Sequence, residues 1–181
     1  MTTKQTKRPF DRIPFMARMV GAVRLHSPTY HEVKNDPTAI RQAIAVVVIG
    51  ALATGFGIEP GNDIAIWNAA NWIMWWAIWV FLIYVIGPNV LRSPNKQIDW
   101  GELARTTGFA QSPLVFMSSI GYVGNFGPNV YLPIFILIAL LWFAAMVIAI
   151  KVTIGYKTLL GPIIVASTFL INAAIIQLIY A

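Results

Sequence analysis

The feature that most constrains this chain is the number of apolar runs long enough to cross a bilayer. A spanning helix takes about 20 residues. Five such runs occur in the 181 residues, at about 39–58, 64–87, 103–123, 129–150 and 158–181. They leave one N-terminal arm, residues 1–36, and no room for a soluble catalytic domain. The expected fold is all-α: an integral membrane bundle of five transmembrane helices with an N-terminal interfacial amphipathic helix. Only 11% of residues are charged, against 57% apolar, so a soluble domain is excluded.

Charge orients the bundle. With the N-terminus in the cytoplasm, all 13 basic residues fall on the cytoplasmic side: eight in the arm and the start of the first span, then Arg92, Lys96, Arg105, Lys151 and Lys157. The opposite side receives only Glu59 and Asp63. The positive-inside rule then predicts a cytoplasmic N-terminus and a C-terminus on the other side. The net charge of +6 is thereby a topology signal and not a nucleic-acid footprint. Cysteine is absent, which removes disulfides, thiolate metal sites and a cysteine nucleophile.

The arm opens with Lys4, Lys7, Arg8 and Arg12, and no signal-peptide pattern follows. Residues 13–25 mix Phe15, Met16, Met19, Val20 and Val23 with Arg18 and Arg24, too short and too charged to span. Such a helix suits the headgroup layer of an anionic leaflet, or equally a place against the cytoplasmic ends of the bundle. Asp36-Pro37 marks the start of the first span, an N-cap acceptor followed by proline at the first helical position. Ala39, Ala43, Gly50, Thr54 and Gly57 fall near one face of that span, a pattern that lets membrane helices approach closely.

In the second span Trp72, Trp75, Trp76 and Trp79 form a stripe at helical spacing, with Asn68 close to the same face. The stripe suits a ring-bearing or polyene ligand, a bound lipid or a partner helix; bulky packing within the bundle explains it as well. No cofactor is required by the sequence.

The third span has the most polar entry. Asp99 with Glu102 reads as an N-cap and capping box, and Arg105 sits in the first turn, where it can snorkel or pair with Glu102, Glu32 or Asp36. Glu32, Asp36, Asp99, Glu102 and Arg105 are thus expected to form a polar clasp at the cytoplasmic interface. Gln111 and Ser112 lie deeper, beside a bend at Pro113, and Asn172 and Gln177 lie within the fifth span. These four need partners inside the membrane.

Chemistry is not expected. His31-Glu32 lacks a second histidine at zincin spacing, no phosphate-binding loop is present, and no span carries an acid at its centre. The chain is read as a non-enzyme.

Two polar stretches are distinctive: Ser-Pro-Thr-Tyr-His-Glu-Val-Lys-Asn-Asp-Pro-Thr-Ala-Ile-Arg-Gln-Ala from Ser27, and Gly-Glu-Leu-Ala-Arg-Thr-Thr-Gly-Phe-Ala-Gln-Ser-Pro from Gly101. With Trp142-Phe-Ala-Ala-Met-Val-Ile-Ala-Ile and the later Gly155-Tyr156, the chain resembles the bacterial branch of the Yip1 family from about Ser27 onward. The resemblance implies a five-span protein of the bacterial cytoplasmic membrane and no catalytic residues. Three functions follow as expectations: an accessory or membrane-organising subunit of a larger membrane assembly, a small transporter or channel lined by Gln111, Ser112, Asn172 and Gln177, or a trafficking factor by family analogy. The expected partners are the bilayer and other membrane subunits, not nucleic acid.

Overall fold

The computed structural model describes residues 14–58, 62–90 and 99–155. The described residues are helical throughout, with no strand among them. The fifth expected span, with Asn172 and Gln177, lies outside the described residues.

Two short helices lead. α1 (Phe15–Val23) ends in a Schellman turn in which His26 N–H reaches the Gly21 carbonyl and Leu25 N–H the Ala22 carbonyl. The left-handed residue of that turn is Leu25, φ 58°, where glycine is usual. α2 (Ser27–Asn35) follows, with Pro28 in its first turn. The expected cap at Asp36 is present: its carboxylate accepts from the Thr38 N–H at 2.9 Å and opens a 3-10 turn, Pro37–Ala39, that runs into α3 (Ile40–Ile58).

Among the described residues three helices are long and apolar enough to cross a membrane: α3 with its leading turn, α4 (Asn62–Val90) and α7 (Pro128–Ile154). Of these α3 is central. Some 44% of its apolar stretch is buried, against 17% for α4, which therefore forms the outer wall.

The segment expected as one span over 103–123 is not one helix. α5 (Trp100–Phe109) ends ten residues in, a 3-10 segment occupies Ser112–Ser119, α6 (Ile120–Val123) adds one turn, and a second 3-10 turn covers Gly124–Phe126. Pro113 is the reason. It has no N–H for the Phe109 carbonyl, and the Ser112 hydroxyl donates to that carbonyl instead, at 2.7 Å. The broken segment still runs alongside the whole of α3. A Cβ at Gly108 would stand 2.9 Å from Ala43 Cβ, one at Gly50 would stand 3.2 Å from the Gln111 carbonyl oxygen, and one at Gly57 would overlap the Met117 carbonyl. The small-residue face of α3 is thus the seat of this segment, over roughly 20 Å of helix.

These pairings also fix direction. Gly55 near the end of α3 faces Ala65 near the start of α4; Tyr84 near the end of α4 stacks edge-on against Trp100 at 5.6 Å; and Thr106 in α5 meets Thr153 at the end of α7. One end of the bundle therefore holds the start of α3, the end of α4, the start of α5 and the end of α7. Arg18, Arg24, Lys34, Arg41, Arg105 and Lys151 are all at this end, and the described part of the far end carries only Asp63 as a charge.

Candidate functional site: a charged clasp and a neutral knot

At the basic end three cations are buried among the described residues: Arg18 holds carboxylates, and Lys34 and Arg105 hold helix-end carbonyls. Arg18 is 2% exposed. Its guanidinium donates to Glu32 Oε1 at 2.6 and 3.1 Å, to Asp36 Oδ2 at 2.6 Å and to Gln42 Oε1 at 2.7 Å, tying α1 to α2 and to the first turns of α3. Burial acts against the charge on Arg18, but the hydrogen bonds from its guanidinium to Asp36 and Glu32 outweigh it and hold the arginine above its ordinary value. Burial likewise pulls Asp36 upward, and the hydrogen bonds from Thr38 and Arg18 more than reverse this, leaving Asp36 below the usual carboxylate range.

Lys34 and Arg105 close helix ends. The last carbonyls of a helix have no partner within it and carry the negative end of the helix dipole. Lys34 Nζ donates to the Val152 and Thr153 carbonyls of α7 at 3.1 and 3.2 Å, and lies 3.4 Å from Glu102 Oε2. Gly155, in the left-handed conformation with φ 84°, covers the Lys151 carbonyl through its N–H. Arg105 performs the same service for α2. Its Nε and one terminal nitrogen donate to the Val33 and Lys34 carbonyls at 3.2 and 2.7 Å. The residue that caps α7 is itself held at its backbone by the residue that caps α2. Buried Tyr30, whose hydroxyl donates to the Ala22 carbonyl at 3.1 Å, completes the arm, and burial raises its phenol above the ordinary value.

The expected clasp residues are accordingly brought to one end, with different pairings. Arg105 bonds backbone carbonyls and not Glu102, Glu32 or Asp36; Glu102 is taken by Lys34, and Glu32 and Asp36 by Arg18. Asp99 does cap α5, accepting from the Glu102 N–H at 2.9 Å. The Glu102 carboxylate that a capping box would turn back is engaged by Lys34.

The second polar layer lies at the middle of α3, level with Gly50. Gln111 is 1% exposed. Its Oε1 accepts the indole N–H groups of Trp142 at 3.0 Å and Trp72 at 3.4 Å, and its amide nitrogen faces Met146 Sδ at 3.7 Å. The two indoles meet edge to face at 5.9 Å. Both oxygen lone pairs are thus occupied, and the knot joins α4, the broken segment and α7 between two apolar clusters.

Between the two layers the hydroxyls are satisfied locally. Thr107 donates to the Leu103 carbonyl at 2.7 Å and Thr153 to the Ala149 carbonyl at 2.8 Å, while Thr106 bonds Thr153 at 2.6 Å. This is how so polar an entry is buried.

No family model, no curated protein and no solved structure matches this chain. The geometry of its polar groups is therefore what describes the site.

The tryptophan stripe is split by the fold. Trp72 belongs to the Gln111 knot, and Trp76 and Trp79 pack against the larger core cluster. Trp75 and Asn68 are half-buried. The Trp76 Nε1 is buried and has no hydrogen-bond partner among the described residues. Lys34, Arg18 and Trp142 are the working residues not singled out from sequence. Arg18 had a signal: it shares the 15, 18, 22 face with Phe15 and Ala22, and an arginine on an apolar face needs a buried partner.

Proposed function

We propose that the chain is a non-catalytic multi-pass membrane protein of Yip1-like type, serving as a structural or accessory subunit of a larger membrane assembly, with five spans, a cytoplasmic N-terminus and α1 at the interface. One observation carries this reading. Each buried cation, Arg18, Lys34 and Arg105, is engaged by helix-end carbonyls or by carboxylates of the arm. Groups engaged in this way join elements; they are not turned toward a substrate. Gln111, a candidate pore residue, is likewise closed on two indoles. The concentration of positive charge at one end of the described bundle supports the orientation.

The two distinctive polar stretches, from Ser27 and from Gly101, are also the ones that dock on each other through Lys34, Glu102 and Arg105.

Gentle extraction followed by native mass spectrometry tests the function. The expected species is well above the 20.0 kDa of one chain, with co-purifying membrane protein. A monodisperse monomer with nothing attached, or solute flux in liposomes abolished by Gln111→Leu, overturns it. Because the chain has no cysteine, single cysteines report topology cleanly. A membrane-impermeant maleimide added to intact cells should label Asn125→Cys and spare Arg24→Cys.

A further inference from the structure

Among the described residues α1 presents an apolar strip that the bundle leaves exposed. Phe15, Arg18 and Ala22 face inward, whereas Met16 and Val20, one turn apart, are 66% and 44% exposed. Arg24, one turn further along the same line, is exposed too. A surface helix ordinarily turns its apolar side toward the protein and its arginine outward; α1 buries Arg18 and shows Met16.

The depth of α1 says what meets that strip. Phe15 stacks edge-on against Phe109 at 6.4 Å, and the neighbouring Gly108 sits against Ala43 in the first turn of α3. The N-terminal end of α1 is therefore alongside apolar helix, just inward of Arg41. Around it the charge is one-sided. Glu32 and Asp36 are bound by Arg18, Glu102 by Lys34, and Asp99 is a cap. Arg24, Arg41 and Lys151 remain exposed at this end, with no ion pair among the described residues. An apolar strip at the depth where acyl chains begin, flanked by exposed cations at the depth of headgroups, is complementary to an anionic phospholipid.

We propose that the outer face of α1 is a binding site for anionic phospholipid, with the acyl chains along Met16 and Val20 and the headgroup phosphate at Arg24. This rests on the membrane-embedded reading above and adds a lipid class and a site to it.

The test uses the full chain in neutral detergent, with thermal unfolding followed as phosphatidylglycerol or phosphatidylcholine is added. Phosphatidylglycerol should stabilise at lower concentration than phosphatidylcholine. Arg24→Gln should raise the phosphatidylglycerol concentration needed for half the effect about fivefold, the equivalent of one cation at an anionic surface. Met16→Ser with Val20→Ser should weaken both lipids. These side chains are exposed, so unfolding without lipid should stay near wild type, which controls for folding. Equal responses to the two lipids, the same response to inorganic phosphate alone, or variants indistinguishable from wild type overturn the site. Carbonate extraction of cell membranes separates the two claims. A chain that stays in the pellet yet shows no lipid preference overturns the site alone, and a chain released into the supernatant overturns the embedded reading as well.

Discussion

The clasp at the basic end and the knot around Gln111 answer the same problem with different chemistry. Both bring polar groups into an apolar bundle, the clasp joining α1, α2, α3, α5 and α7 and the knot joining α4, the broken segment and α7. The clasp uses full charges, Arg18, Lys34 and Arg105, at the end of the bundle where carboxylates and helix-end carbonyls are supplied. The knot, at the level of Gly50 in mid-helix, uses a neutral amide and two indole N–H groups. The difference follows from the cost of burial. A charge at the bilayer centre costs roughly 2.5–3.5 kcal/mol on insertion scales and falls toward the interface, whereas an amide with its partners made carries no such penalty.

The clasp should therefore be the more sensitive of the two. Arg18→Ala leaves Glu32 and Asp36 facing each other without their shared cation, and should cost about 3 kcal/mol, the lower end for breaking a buried pair. A denaturant titration of the purified chain would read this; a loss below about 1 kcal/mol would show the network to be solvent-screened. Next comes Arg105→Ala, which strands the Lys34 carbonyl and leaves the Val33 carbonyl only the Asp36 N–H at 3.4 Å. Two bonds from a charged donor put the loss at about 2 kcal/mol. Arg105→Lys should recover only part of it, since an ammonium cannot reproduce the planar fork that reaches both carbonyls.

Acid probes the same region. The folded value of Asp36 is lowered, so its contribution is fully present above the unfolded value of about 3.9 and is lost as pH falls through the folded one. Unfolding curves of the wild type should weaken below about pH 4. Asp36→Asn should start less stable and lose less over that window. Parallel curves for the two proteins would place the acid sensitivity elsewhere.

The helical class, the three long apolar helices and the caps at Asp36 and Asp99 were legible in sequence, because each is written in local pattern: run length, Asp-Pro, and Asp three residues before Glu. That Glu32, Asp36, Asp99, Glu102 and Arg105 lie at one end of the bundle was legible too, because charge partition is a one-dimensional property. Their pairing was not. Arg105 has carboxylates nearby in sequence and on the same side, yet it binds the end of α2. Unpaired helix-end carbonyls are invisible in a residue list and appear only once the helix ends are placed. Gln111 is a similar case. The sequence marks a polar residue that needs partners, but Trp142 lies 31 positions away in a span whose pattern is uniformly apolar. The break at Ser112–Ser119 was signalled by Pro113, while its 3-10 form and its close approach to Gly50 and Gly57 appear only in the fold.

The knot should yield smaller effects. Gln111→Leu leaves the indole N–H groups of Trp72 and Trp142 without an acceptor in an apolar interior. Interhelical polar contacts of this kind in membranes are worth about 1–2 kcal/mol, and a loss in that range is expected. The intrinsic tryptophan emission should shift with it, since two indoles lose a polar neighbour.

The sharpest comparison inside the knot needs only two conservative substitutions. Trp142→Phe and Trp76→Phe remove the same indole-to-phenyl area from half-buried positions, so the apolar loss nearly cancels between them. What differs is the N–H. Trp142 donates to Gln111 at 3.0 Å, and losing that bond should cost about 1 kcal/mol. Trp76 holds its N–H buried with no partner among the described residues, a standing penalty of about 1–3 kcal/mol that phenylalanine removes. Trp76→Phe should therefore leave stability unchanged or raise it slightly, and should exceed Trp142→Phe by about 2 kcal/mol when both are unfolded in the same detergent. Equal losses would mean that the Trp76 N–H has an acceptor, and the outer wall formed by α4 would then have to be reconsidered as a place where a lipid carbonyl or a partner chain enters.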